Sequence, residues 1–190
     1  GSSTAFGGFF GDGLFAEWTA GVPKVVTAHE MFTPSAIFKR NLNSAKLVIS
    51  VSETLANEIE DKAHISRPKI RVIPNAIHPQ YFERVSSGEA HAMRDRFAIQ
   101  GRFVLSVLSA EKRKNLDLIL NAAQSRTDLT WVLVGSLESE KINISNVKVL
   151  GGVEDAWLKA LYSEASCVVV PSIYEGFSLI PLEALVEGSI

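Results

Sequence analysis

An α/β fold with two parallel-sheet lobes is what this 190-residue sequence predicts. Three observations carry it. Short β-branched runs alternate with stretches at helical spacing, the pattern of βαβ units. None of the runs alternates strictly between apolar and polar residues, as expected of strands covered on both faces. The alternation breaks once, at residues 80–101, where Ser86-Ser87-Gly88 and a charged helical stretch around residues 94–97 stand between two similar halves. The expected division is therefore a first lobe over 1–79, a crossover over 80–101 and a second lobe over 102–190.

Each element has its own warrant. Val25–Ala28 (VVTA) is a strand after the Gly21-Val22-Pro23 turn. Residues 47–51 (LVISV) form the next, and Ser52 then caps a helix whose buried face is Leu55, Ala56, Ile59 and Ala63. Residues 70–73 (IRVI) are a third strand, stopped by Pro74. In the second half, residues 103–108 (FVLSVL) are a strand, and Asn115 is placed as the cap of a helix carrying Leu116, Ile119, Leu120 and Ala123. Strands at 131–134 and 147–150 end at Gly135 and Gly151. A helix with Trp157, Leu158, Leu161, Tyr162 and Ala165 as its buried stripe leads to the strand at 167–170.

Composition narrows the function. Hydrophobic content of 46% and charged content of 21% are those of a globular protein, and a net charge of −2 argues against a nucleic-acid binder. No apolar run is long enough to span a bilayer. The single cysteine, Cys167, excludes an internal disulfide, reads as a small core residue and fits a reducing, cytoplasmic setting. His64, His78 and His91 have no ligand spacing with His29 or Cys167, so no metal site is expected. The chain lacks an initiating methionine and stops at Ser189-Ile190, one step into what reads as a further strand, so a fragment is expected. The glycine-rich stretch at residues 7–13 has neither the GxGxxG nor the GxxxxGK[ST] spacing and reads as a loop.

The chemistry concentrates in residues 167–190. A strand ends at Pro171, a polar loop holds Glu175 and Gly176, and a helix begins near residues 178–181 with Pro181 in its first turn. Ligands of open α/β sheets bind at the carboxyl ends of strands, where this loop lies. Seven residues separate Glu175 from Glu183. Glu175 is placed to accept from sugar hydroxyls, and Glu183 from the adjacent hydroxyls of a ribose. Gly176 lets the backbone approach a ligand closely, and the first helical turn offers free N–H groups to an anion. A helix-capping acid at Glu183 and a surface acid at Glu175 are the plainer alternative; a glycosidase-like carboxylate pair is a third.

Two further candidates lie at strand ends. Glu111-Lys112-Arg113-Lys114-Asn115 follows the 103–108 strand; Arg offers phosphate a planar fork and Lys a point charge. A solvated charged turn explains the same residues. His29 ends the first strand, where it can hydrogen-bond a substrate or move a proton, or serve structure alone.

Taken in order, these segments resemble the retaining, nucleotide-sugar-dependent glycosyltransferases of GT-B architecture known as family 4. PSIYEGFSLIPLEA is similar to that family's E-x7-E signature, SAEKRKNLDLIL to its basic donor-phosphate motif, and VTAHE to its histidine strand. SVSETLANEI, IRVIPNAIHP and the stretch from Asn146 to Ser172 resemble the intervening segments, so the likeness spans roughly residues 22–190.

That resemblance implies the GT-B fold, with residues 1–79 as the end of the acceptor lobe and 102–190 as a truncated donor lobe. It implies transfer of a sugar from a UDP- or GDP-sugar to a carbohydrate or lipid-linked hydroxyl, with retained anomeric configuration and without a metal or other cofactor. Glu183 is implied to bind the ribose, Glu175 the donor sugar, and Gly176, Phe177, Ser178 and Leu179 the sugar and diphosphate. Arg113 and Lys114, beside Asn115, are implied to neutralise the leaving diphosphate. Val153 is placed beside the base, and His29 approaches the sugar from the other lobe. Three positions depart from the family's usual glycine: Leu108, Ala76 and Ser178. An inactive scaffold subunit, or another GT-B enzyme such as an epimerase or a phosphorylase, is the alternative; peripheral membrane contact and oligomeric state are left open.

Overall fold

The computed structural model describes residues 23–31 and 36–189, so the glycine-rich stretch at residues 7–13 and Ile190 lie outside the described residues. Two compact units divide the chain. One runs to Asn75 and also takes in Glu175–Phe177; the other holds Ala76–Tyr174 and Ser178–Ile190.

The first unit is a three-stranded parallel sheet, β1 (Val25–Ala28), β2 (Leu47–Ser50) and β3 (Ile70–Val72), in the order β1-β2-β3. Val25 sits opposite Leu47, and Val48 opposite Ile70. Helices α1 (Ala36–Ser44) and α2 (Glu53–Ala63) supply its covering apolar faces. Leu42, Val48, Leu55, Ile59 and Ile70 form the core together with Ala28 and Met31. Ser52 caps α2 as the sequence implies, its hydroxyl accepting from the Leu55 N–H at 3.1 Å. His64 closes α2 in the left-handed conformation, φ 56°. The sequence pattern did not announce α1, because its few apolar positions make a thin stripe and Asn41 is buried beside Leu42.

The second unit begins with a 3-10 turn over Pro79–Phe82 and helix α3 (Ser87–Arg96). The helix is longer than its charged centre suggested. A capping box starts it: Ser86 accepts from the Glu89 N–H at 3.2 Å, and the Glu89 carboxylate accepts from the Ser86 N–H at 2.8 Å. There follow β4 (Phe103–Val107), α4 (Leu116–Ser125), β5 (Thr130–Val134), β6 (Val147–Val149), α5 (Asp155–Glu164), β7 (Cys167–Val168) and α6 (Ile180–Val186). All pairings are parallel, in the order β6-β5-β4-β7.

Alternate residues of the central strands enter different cores. Phe103, Leu105 and Val132 pack with Met93, Leu161 and Tyr162 on one side; Val104, Trp131 and Leu133 pack with Ile119 and Ala123 on the other. This is the covered sheet that the absence of alternation implied. The strand expected at 167–170 is ladder-paired only at Cys167 and Val168, and Cys167 is half-buried rather than a full core residue.

Candidate functional site

In parallel sheets all strands end on the same edge, and in the second unit the chain leaving that edge is tied together by backbone. Leu108 N donates to Val134 O at 2.9 Å, Ala110 N to Ser136 O at 3.2 Å, and Gly135 N to Gly151 O at 2.7 Å. Gly135 is required here: its φ is +131°, and an added Cβ would lie 2.0 Å from the Leu108 carbonyl oxygen. Val153 follows on the β6 segment, half-buried against the core.

The basic turn belongs to the same edge. Lys112–Lys114 form a 3-10 turn. Asn115 stands at the N-cap position of α4, but its side chain does not cap: the residue is left-handed, φ 54°, and makes no side-chain bond to the helix. Its Nδ2 donates instead to the Pro171 carbonyl at 3.1 Å, while Ile173 N donates to the Arg113 carbonyl at 2.8 Å. Those two bonds fasten the basic turn to the loop after β7. A capping role for Asn115 is thus corrected to a cross-link, because left-handed backbone turns its side chain away from the helix amides. Arg113 is held in place by Glu111, Nε to Oε2 at 2.9 Å, and Ser109 donates to the other Glu111 oxygen at 3.0 Å. The Ser109 hydroxyl, with Arg113 beside it, keeps the Glu111 carboxyl below the usual range.

Glu183 lies in the first turn of α6, with Ile180 and Pro181 opening the helix and Glu183 N donating to Leu179 O at 2.9 Å. It is half-buried. The Tyr162 hydroxyl of α5 donates to Glu183 Oε2 at 3.0 Å. Burial raises the Glu183 carboxyl above its ordinary value; Asp155 adds to that and the Tyr162 bond opposes it. The same patch pushes Tyr81 up to about 12, chiefly by burial and then by Glu183 and Asp155. Tyr162 rises further in the same direction, by burial and by the adjacent Glu183 charge.

The remaining candidates divide between the two units. Ser178 and Leu179 stand with Glu183, Arg113, Lys114, Asn115 and Val153 in the second; Glu175, Gly176, Phe177 and His29 fall in the first. His29 leaves the end of β1 exposed. Gly176 is buried, and a Cβ on it would lie 1.8 Å from the His29 carbonyl oxygen, so the backbone that approaches this glycine is the chain's own. Phe177 packs on the first unit's core.

Sequence reasoning overlooked three groups around Glu183: Tyr162, Tyr81 and Asp155. Tyr162 was legible in principle. A phenol in an otherwise apolar helical stripe needs a partner for its hydroxyl. Among the described residues no group of three or more His, Cys, Asp or Glu is placed to hold a metal ion, and no helix is long and apolar enough to cross a membrane.

Comparison with known proteins places this geometry in context. The family model described as "Glycosyl transferases group 1" matches residues 92–189, and that of "Glycosyltransferase Family 4" matches residues 4–81. The serotype-specific mannosyltransferase WbdA of Escherichia coli is 25% identical over 163 residues, covering 76% of this chain and 20% of that protein. The O-antigen chain mannosyltransferase B of Escherichia coli is 30% identical over 171 residues, 78% of this chain and 43% of that protein. Among solved structures, Anabaena HepE in complex with UDP-glucose superposes with a TM-score of 0.73 at 21% identity, covering 88% of this chain and 52% of that one. The chain thus spans less than half of each of the two curated relatives and about half of HepE. The likeness to HepE shows the fold, which is α/β of the GT-B type.

Proposed function

The chain belongs to the glycosyl transferases group 1 family, and from that premise we propose that it carries the donor-binding half of a retaining glycosyltransferase. The whole protein moves a sugar from a nucleoside diphosphate sugar to a hydroxyl acceptor. The observation that supports this most is Glu183: a half-buried carboxylate at the start of α6, with one oxygen held by Tyr162. Seven residues separate it from Glu175, the spacing of the E-x7-E signature.

In this reading Glu183 accepts hydrogen bonds from the ribose hydroxyls, Val153 lies beside the base, and Glu175 and His29 contact the donor sugar. The backbone of Gly176, Phe177, Ser178 and Leu179 meets sugar and diphosphate. Arg113 and Lys114 meet the charge that develops on the leaving diphosphate, in place of a metal ion. The Glu111 contact orients Arg113, and Asn115 ties that turn to the loop after β7. The bond from the anomeric carbon to the diphosphate oxygen breaks. The acceptor oxygen bonds to that carbon on the same face, and its proton passes to a phosphate oxygen. Two relatives are mannosyltransferases by name, so GDP-mannose is the first donor to try, ahead of UDP-glucose. The single cysteine favours a cytoplasmic setting, and a carbohydrate or lipid-linked hydroxyl is the acceptor class.

Titration calorimetry with UDP and GDP, without metal, tests the donor site. Saturable binding that Glu183→Ala weakens by at least tenfold is the expected result. Equal binding by that variant, or no binding of either nucleotide by the folded chain, overturns the reading. Release of free nucleotide only when an acceptor is present separates transfer from epimerisation.

A further inference from the structure

We propose that Tyr162 is a positioning residue for donor binding: its buried hydroxyl holds one oxygen of Glu183 and so aims the other at the ribose. The inference rests on the reading of Glu183 as the ribose acceptor and adds a residue to it.

The geometry points to this from both partners. Tyr162 is completely buried in the last turn of α5. Phenylalanine would fill the same apolar stripe, so the hydroxyl answers to something other than packing. Its ring is boxed in by Tyr81, 6.2 Å away between centroids and tilted by 57°. The Ser189 hydroxyl bonds the Tyr162 carbonyl and, at 3.2 Å, the Ala165 carbonyl, which anchors the end of α5 to the chain after α6. With the ring against Tyr81 and its backbone tied to Ser189, the atom that its hydroxyl meets is Glu183 Oε2. A free glutamate samples several rotamers, and freezing them on binding costs affinity. Tyr162 meets that cost in advance.

Other charged groups face the same patch. Asp155 comes from the start of α5, and Tyr81 from the turn before α3. Lys159 of α5 approaches Glu187, the residue that closes α6, at 3.8 Å. Around Glu183, burial and Asp155 favour the protonated carboxyl, and the Tyr162 bond favours the carboxylate. Without that hydroxyl, the carboxyl keeps its proton to higher pH and offers the ribose a weaker acceptor.

The test is titration calorimetry of the full chain with UDP and GDP from pH 5 to pH 8, on wild type, Tyr162→Phe, Glu183→Ala, Glu183→Gln and the double variant of Tyr162→Phe with Glu183→Gln. A thermal melt checks folding, and Tyr162→Met serves if the Phe variant does not fold. Loss of a hydrogen bond to a charged group predicts roughly tenfold weaker binding by Tyr162→Phe at neutral pH. Its acid limb moves to higher pH, a shift that a loss of packing does not cause. On the Glu183→Gln background the second substitution adds little. Unchanged affinity and an unmoved limb in Tyr162→Phe, with Glu183→Ala still weakening binding at least tenfold, overturn this inference alone. Glu183→Ala binding as tightly as wild type, or wild type binding neither nucleotide, overturns the donor-site reading and this one with it.

Discussion

Gly135→Ala probes how the edge of the second sheet is built. Gly135 follows β5 with φ +131°, and a Cβ there would lie 2.0 Å from the Leu108 carbonyl oxygen and 3.0 Å from its carbon. Neither segment yields easily. Leu108 N is bonded to Val134 O at 2.9 Å, and Gly135 N to Gly151 O at 2.7 Å. Holding a residue with a Cβ in so rare a backbone conformation costs roughly 1–3 kcal/mol. Relieving the overlap by moving backbone adds roughly 1–3 kcal/mol. The expected loss is therefore roughly 2–6 kcal/mol. Gly101→Ala is the control: its φ is +65° and nothing lies within 4 Å of its added Cβ. That variant meets the left-handed cost alone, about 1–2 kcal/mol. Urea denaturation followed by tryptophan emission reads both, because Trp131 and Trp157 belong to the second unit. With a slope of about 1–3 kcal/mol per molar urea, each kcal/mol moves the midpoint by roughly 0.3–1 M. If Gly135→Ala loses no more than Gly101→Ala, the close approach to Leu108 is not a constraint and the reasoning fails.

Two further outcomes are expected. Glu183→Gln gains stability relative to wild type as pH rises. The folded carboxyl sits above its unfolded pKa, so the folded state binds more protons across that window, and the Glu183 contribution, present below the unfolded pKa, is lost as pH rises through the folded one. Thermal midpoints of both proteins from pH 4 to pH 8 measure the difference; a Glu183→Gln midpoint that falls relative to wild type as pH rises contradicts the assigned direction. Ser52→Ala removes the bond to the Leu55 N–H and lowers stability by about 1 kcal/mol, with Ser52→Gly costing a few tenths. Circular dichroism in urea follows the loss, and equal midpoints for Ser52→Ala and wild type show that the cap contributes nothing.

Much of the fold was legible because its signals are local. Strands at Val25–Ala28 and Phe103–Val107 read directly as β-branched runs, and Ser52 declared its helix by type and place. Helix α1 was not legible, because residues on other elements complete its core. Asn115 misled for the opposite reason. Its type and place fit a cap, but its backbone is left-handed and its amide bonds the Pro171 carbonyl. Among the candidate residues, Glu175, Glu183, Arg113 and Lys114 were singled out by order and spacing. Tyr162, Tyr81 and Asp155 were not, because their relation to Glu183 crosses from one helix or turn to another.

The sequence by itself determined the class of fold and most of its strands and helices, and it singled out the acids and cations proposed for a donor site. Those depend on the periodicity and chemistry of neighbouring residues, which a linear reading retains. Only the tertiary structure decided that Glu175–Phe177 joins the first unit, that Gly176 makes room for the His29 carbonyl, and that Tyr162 holds Glu183. Each of these is a contact between residues distant in the chain. Its energy comes from burial and from the direction of a single bond, and neither exists until the elements have packed.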